Sequence, residues 1–173
     1  MELDPKERVN RGFIIAIASD HAGFELKQKL IERLQSVGSR GHIVIDLGPD
    51  GTDRVDYPDY ATKVAAAVMG AHAERGILIC GSGVGMSIQA NRYQGIRCAL
   101  VTDPETARLS RAHNDSNILA LGARLTGEDM AWVCVETWLQ TGFEAGRHQA
   151  RVKKMDPGLW PPLMVFNKEK THD

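Results

Sequence analysis

Cysteine is scarce, with three in 173 residues. Cys80, Cys98 and Cys134 are odd in number and widely spaced. That fits neither a disulfide framework nor a zinc site, and it points to a reducing, cytoplasmic setting. Net charge is almost absent. The 21 basic and 22 acidic residues leave −1, so no global field favours nucleic acid or an anionic membrane. No apolar run approaches the ~18 residues that a membrane helix needs. The opening "MELDPKERVNRG" is polar and mixed in charge, unlike a secretory signal. There is no internal repeat and no low-complexity block. What remains is an ordinary globular composition, 43% hydrophobic and 25% charged, in a chain long enough for one domain with a real core.

Apolar runs alternate with amphipathic stretches. "FIIAIAS" (13–19), "HIVIDLG" (42–48), "GILIC" (76–80), "IRCALVT" (96–102) and "NILALG" (117–122) read as strands. Between them lie helical patterns. "AGFELKQKLIERLQSVG" places Phe24, Leu30, Ile31, Leu34 and Val37 near helical spacing, with Gly38 as a stop. "YPDYATKVAAAVMGAHA" (57–73) has Pro58 at its start, where a missing N–H costs little. A helix runs from Val84 to Tyr93, and another, at 103–114, is opened by Asp103-Pro104. A helix over 126–141 takes Thr126 as its cap, and "AGRHQARVKKM" is a last helical piece.

Five strands alternating with helices imply an α/β fold. It is a three-layer α/β/α sandwich around a five-stranded parallel sheet, Rossmann-like in outline. Residues 1–12 are expected to be a mobile N-terminal segment, 13–155 the single domain, and 156–173 a C-terminal extension. Trp160, Leu163, Val165 and Phe166 are too apolar for a free tail, so part of that extension is expected to dock.

Ligands of such sheets bind beyond the carboxyl ends of the strands, so those ends are where chemistry is sought. The third strand ends in "CGSGVG". Its glycines let backbone amides turn toward one point, a candidate anion nest beside a helix N-terminus. The standard patterns are missing. G-x-G-x-x-G would need glycine at Met86, the triphosphate loop needs G-K-[ST], and the hydrolase elbow would need glycines at Cys80 and Val84. A cysteine, the hydroxyl of Ser82 and the amides of Gly81, Gly83, Val84 and Gly85 remain. A thiolate at Cys80 could take a proton while the amides hold the resulting oxyanion. Against this stands a buried structural cysteine, the usual state of Cys98 and Cys134.

Other ends carry further groups. In "SDHAGF", Ser19 or Asp20 can cap a helix, a role that does not need His21, which could meet an anion there. In "SRAHNDSN", His113 and Asn114 either close a turn or bring a second proton-transfer group near the same sheet edge. Arg124 follows the fifth strand. Arg147 and Arg151, four apart with His148 between them, either clamp a phosphate or form a solvated basic face.

Taken together, "SDHAGFELK", "DYPDYA", "GILICGSGVGMSIQANR", "GIRCAL", "LSRAHNDSNILALGAR" and "GRHQARV" resemble the ribose-5-phosphate isomerase B family, which includes galactose and allose 6-phosphate isomerases. The resemblance runs in order from Ile14 to Met155. It implies a homodimer, or a dimer of dimers, whose active sites draw on both chains. That sharing would explain how C-terminal arginines reach a strand end. It also implies cofactor-free, metal-free interconversion of ribose 5-phosphate and ribulose 5-phosphate through an enediolate, within the pentose phosphate pathway.

By the same resemblance Cys80 is the base and Ser82, often threonine in the family, moves a hydroxyl proton. Gly81, Gly83, Val84 and Gly85 form the anion hole. His113 opens the sugar ring with Asn114 beside it, and Asp20 handles a ring or hydroxyl proton. His21, Arg147 and Arg151 hold the phosphate, and Tyr57 and Arg124 touch substrate. One branch of the family places a glutamate base where Met86 stands, so this chain resembles the cysteine branch.

Three alternatives stay open at this point. The substrate could be another sugar phosphate of four or six carbons. The chain could be a non-catalytic phosphosugar-binding module. A metal-dependent hydride shift is a further option, but the strand ends offer no cluster of carboxylates or histidines for it.

Overall fold

The computed structural model describes residues 12–36 and 41–155. The expected N-terminal segment before Gly12, the stop at Gly38 and the docking of the 156–173 extension lie outside them. The described residues alternate strand and helix: β1 (Ile14–Ser19), α1 (Phe24–Ser36), β2 (Ile43–Asp46), α2 (Tyr57–Met69), β3 (Arg75–Cys80), α3 (Val84–Ala90), β4 (Cys98–Leu100), α4 (Pro104–Asn114), β5 (Ile118–Gly122), α5 (Glu128–Gln140) and α6 (Gly146–Lys154). All pairings are parallel, and the strand order is β2-β1-β3-β5-β4. The chain leaves β1 in one direction for β2 and returns on the other side for β3. The crevice between the carboxyl ends of β1 and β3 is therefore the topological switch point.

The sheet's two faces differ in side-chain size. Ile15, Ile17, Ile77, Ile79, Leu119 and Leu121 meet Leu26, Leu30 and Leu34 of α1 and Cys134, Val135 and Trp138 of α5. The opposite face carries Ala16, Ala18, Leu78 and Ala120 and packs on Ala61, Val64 and Ala65 of α2 and Met86 and Ala90 of α3. Small residues there let α2 approach closely, and a Cβ on Gly76 would lie 2.6 Å from Val64. Each large aliphatic side chain so buried contributes about 1.5–3 kcal/mol. Cys80 belongs to the small-residue face, and Met86 beneath it is wholly buried.

Local signals explain the element starts. Asp103 Oδ1 accepts from Thr106 N at 2.8 Å, and Pro104 follows in the first turn of α4. The expected cap of α5 is corrected. Gly127 occupies that position, while the Thr126 hydroxyl is buried without a partner and the Thr126 amide donates to Gly122 O. β4 and α3 are shorter than their apolar patterns. The Asn91 side chain pairs with both the N–H and the C=O of Cys98, at 2.8 and 2.9 Å, and so ends α3 against the sheet edge.

Candidate active site

At the switch point the backbone turns on Asp20. Its amide donates to Ile79 O, and its Oδ1 accepts from Ala22 N and Gly23 N at 2.9 and 3.0 Å. This caps the turn entering α1, so the sequence expectation of a cap at this point describes the geometry. A Cβ at Gly23 would meet Ile79 O at 2.6 Å, which ties the β1 turn to the end of β3. His21 Nδ1 lies 3.3 Å from Val55 O and 3.4 Å from Val55 N. The loop containing Val55 also delivers Tyr57. Upstream, that loop is held by wholly buried Lys27, whose Nζ donates to both Asp46 oxygens and to Pro49 O at 2.7–2.8 Å. Lys27 was not singled out in the sequence, where a lysine on a helix reads as solvated.

The glycine loop follows β3. Gly83 has φ +77°, and a Cβ there would lie 2.5 Å from Leu100 Cδ1. Both the torsion and the space demand glycine. This turn brings Gly83 N to within 3.1 Å of Cys80 Sγ, and the amide donates to the sulfur. The contact sets a backbone donor of the glycine loop directly on the sulfur. Val84 N donates to Ser82 Oγ at 3.4 Å, and Ser87 N closes the first turn of α3 on Gly83 O. Tyr57 lies against Gly85, since a Cβ there would be 2.6 Å from its ring. Arg124 crosses Gly81, with Nη1 3.3 Å from the site of an added Cβ. Asp20, His21, Tyr57, Cys80, Ser82, Gly81, Gly83, Val84, Gly85 and Arg124 thus gather at the carboxyl end of the sheet.

His113 and Asn114 do not join them. They end α4, which runs back from the carboxyl end of β4, so they sit at the amino end of the sheet. The strand register fixes the separation. Cys80 pairs with Gly122, whereas Asn117 accepts from Gly76 N at the start of β3. Gly122 lies five residues beyond Asn117 along β5, about 16 Å at ~3.3 Å per residue. The expectation that His113 lies near the same edge as Cys80 in one chain is therefore corrected. Arg147 and Arg151 stand with His113, because α6 packs on α4.

The amino-end group is tightly ordered. The imidazoles of His113 and His148 stack with centroids 4.2 Å apart and planes 4° from parallel. Glu144 Oε2 lies 3.6 Å from His113 Nε2 and 3.9 Å from His148 Nε2. Arg147 Nε donates to His148 Nε2 at 3.3 Å. Burial pushes the His148 pKa down, and the nearby His113, Arg147 and Arg151 push it the same way against Glu144. His113, Glu144 and His148 are the one potential metal-ligand group among the described residues. Their ring planes are parallel, however, so the in-plane lone pairs of the two imidazoles do not converge on a common ion as placed. The turn after His113 is clamped as well. Asp115, at φ +48°, accepts from Arg111 and Arg97, and Arg97 Nε also donates to the carbonyls of Asn114 and Asp115. His148 was expected only as a neighbour of the Arg147–Arg151 pair, and Glu144 was not singled out. Their only sequence signal was proximity to Arg147.

A doubly wound α/β protein with a thiol and a glycine loop at its switch point is the class that fold and site define. Comparison with known proteins narrows it. The Ribose/Galactose Isomerase family model matches residues 15–155. Ribose-5-phosphate isomerase B of Escherichia coli K12 is 48% identical over 139 residues, covering 80% of this chain and 91% of that protein. The crystal structure of a ribose 5-phosphate isomerase from Thermotoga maritima aligns at TM-score 0.80 and 51% identity, over 83% of this chain and 97% of that one. Ribose-5-phosphate isomerase B of Mycoplasma genitalium, solved with bound ribulose 5-phosphate, aligns at TM-score 0.78 and 40% identity, over 84% and 95%. The chain belongs to the ribose/galactose isomerase family and is an aldose–ketose isomerase by that membership.

Proposed function

We propose that the chain interconverts ribose 5-phosphate and ribulose 5-phosphate, without metal or cofactor, at sites shared by two copies of itself. Cys80 as thiolate removes the C2 proton of the open-chain aldose. Electrons move into the carbonyl, and the enediolate oxygen is held by amides of the Gly81–Gly85 loop. Ser82 passes the hydroxyl proton between O2 and O1, and the thiol returns its proton to C1. Asp20 handles a ring or hydroxyl proton, His21 faces the phosphate, and Tyr57 and Arg124 line the substrate. The partner supplies His113 and Asn114 for ring opening and Arg147 and Arg151 for the phosphate.

The observation that carries the chemistry is the Gly83 N–H on Cys80 Sγ at the switch point. Met86 is wholly buried where the other branch of the family would place its base, which leaves the thiol as the candidate. The two-chain site is supported by the placement of the two groups at opposite ends of the sheet. A two-fold axis that sets one carboxyl end against the partner's amino end does so twice, completing two sites. Val84, Ile88 and Leu125 are apolar and 44–68% exposed beside the glycine loop, as a self-interface requires. Cys80, Cys98 and Cys134 are all free thiols, which supports a reducing, cytoplasmic setting, and the proposed interconversion is a step of the pentose phosphate pathway.

The test follows the C1 hydrogen of ribulose 5-phosphate in deuterated water. The ketose has no furanose ring to open, so its exchange reports proton abstraction alone. Cys80→Ala is expected to abolish both exchange and turnover of ribose 5-phosphate. His113→Ala is expected to lose turnover and keep exchange. Near-normal exchange in Cys80→Ala would overturn the thiolate base, and a panel in which ribose 5-phosphate is among the poorest substrates would overturn the sugar.

A further inference from the structure

His148 is 7% exposed and sits where two proposed functions meet. One face of its ring covers the imidazole of His113 at 4.2 Å. Its Nε2 accepts from Arg147 Nε at 3.3 Å. For Nε2 to accept, the ring must be neutral with its proton on Nδ1. Burial and the surrounding His113, Arg147 and Arg151 favour that neutral form, and only Glu144 opposes it.

The two contacts do different work. A flat stack at 4° fixes the plane of a half-exposed His113. Exposed Arg147 has no other side-chain hydrogen-bond partner among the described residues, and an unheld arginine loses rotamer entropy when it captures a phosphate. Holding Nε toward His148 leaves the two terminal nitrogens free for bidentate contact with an anion.

We propose that His148 is a positioning residue that acts through its ring on His113 and through Nε2 on Arg147, ordering the ring opener and the phosphate clamp together. This rests on the isomerase reading above. The two arms can be separated by substitution. His148→Phe keeps a flat ring over His113 and removes the acceptor. His148→Gln keeps an acceptor near the Nε2 position and removes the ring.

The experiment measures kcat and KM on ribose 5-phosphate together with C1 exchange of saturating ribulose 5-phosphate. His148→Phe is expected to raise KM about five- to tenfold and leave kcat within twofold. His148→Gln is expected to lower kcat about tenfold or more and leave KM within twofold. Saturating exchange should stay within twofold of wild type in both, which also shows that both variants fold with an intact proton-transfer site. Equal changes of kcat, KM and exchange in the two variants would mean a merely structural histidine and overturn the proposal, as would unchanged kinetics in both. Cys80→Ala is run alongside. If it stays active, the thiolate-base reading fails, whatever the His148 variants do. If it is inactive while the His148 variants match wild type, only the positioning role fails.

Discussion

Gly122→Ala perturbs the glycine loop without altering any group proposed to touch substrate. Gly122 ends β5, and the Ser82 backbone crosses directly over it. An added Cβ would lie 2.7 Å from both C and O of Ser82 and 3.0 Å from its Cα. Ordinary contact begins near 3.4 Å, so something must move by about 0.7 Å. β5 is buried throughout and paired on both edges, so it resists movement. The loop gives way and carries Ser82 and the Gly83 amide with it. Overpacking of this kind costs typically ~1–3 kcal/mol. At about 2–4 °C per kcal/mol for a domain this size, Tm falls by several degrees. Misplacing a reacting centre by about 1 Å costs on the order of 10²-fold in rate. For about 0.7 Å the expected loss in kcat is on the order of 10- to 100-fold. KM should change little, because the proposed phosphate contacts lie elsewhere. Coupled detection of ketose formation gives kcat and KM, and a thermal melt gives Tm. Gly142→Ala is the control, since nothing lies within 4 Å of its added Cβ. A Gly122→Ala enzyme with kcat within twofold of wild type would refute the claim that the loop backbone sets the rate.

Two further outcomes follow from environment. Burial pushes the Cys98 thiol up to about 12 and Cys134 to about 11, so at pH 8 both stay protonated and alkylate slowly. Iodoacetamide should inactivate the enzyme in step with label on Cys80, with protection by ribose 5-phosphate; mass spectra showing Cys98 or Cys134 labelled at a similar rate would contradict this. Ala145 stands at φ +53°, ψ −126°, a region that suits glycine. Relief of about 1–3 kcal/mol of strain, less ~0.5–1 kcal/mol of glycine entropy, predicts that Ala145→Gly gains roughly 1 kcal/mol in urea unfolding; a lower midpoint would contradict it.

Much of the fold was legible because its signals are local. "NILALG" and "FIIAIAS" are apolar without interruption, as strands covered on both faces must be. Asp103-Pro104 declared its helix by cap chemistry alone. Thr126 misled because the same residue type can instead be buried beneath the strand end, and the chain there continues one residue before turning helical. For the site, Cys80 and its glycines lie within a few residues of one another, so spacing was enough. His113 was misplaced for a reason that chain direction could have supplied. α4 has 11 residues, about 16 Å at ~1.5 Å each, which is the height of the sheet. A helix of that length that starts at the carboxyl end must finish at the amino end. The stack of His113 on His148 had no sequence signal. It depends on how α6 settles against α4, which no local pattern encodes.

In the proposed dimer each active site joins the carboxyl end of one chain to the amino end of another. Mixing inactive variants tests it directly. Cys80→Ala and His113→Ala proteins are unfolded together in equal amounts and refolded. In a mixed dimer one site receives both substitutions and the other receives neither. Random pairing makes about half the dimers mixed, so about one quarter of wild-type turnover of ribose 5-phosphate should return. Activity no higher than the average of the two parent proteins would contradict shared sites and require Cys80 and His113 to act within a single chain.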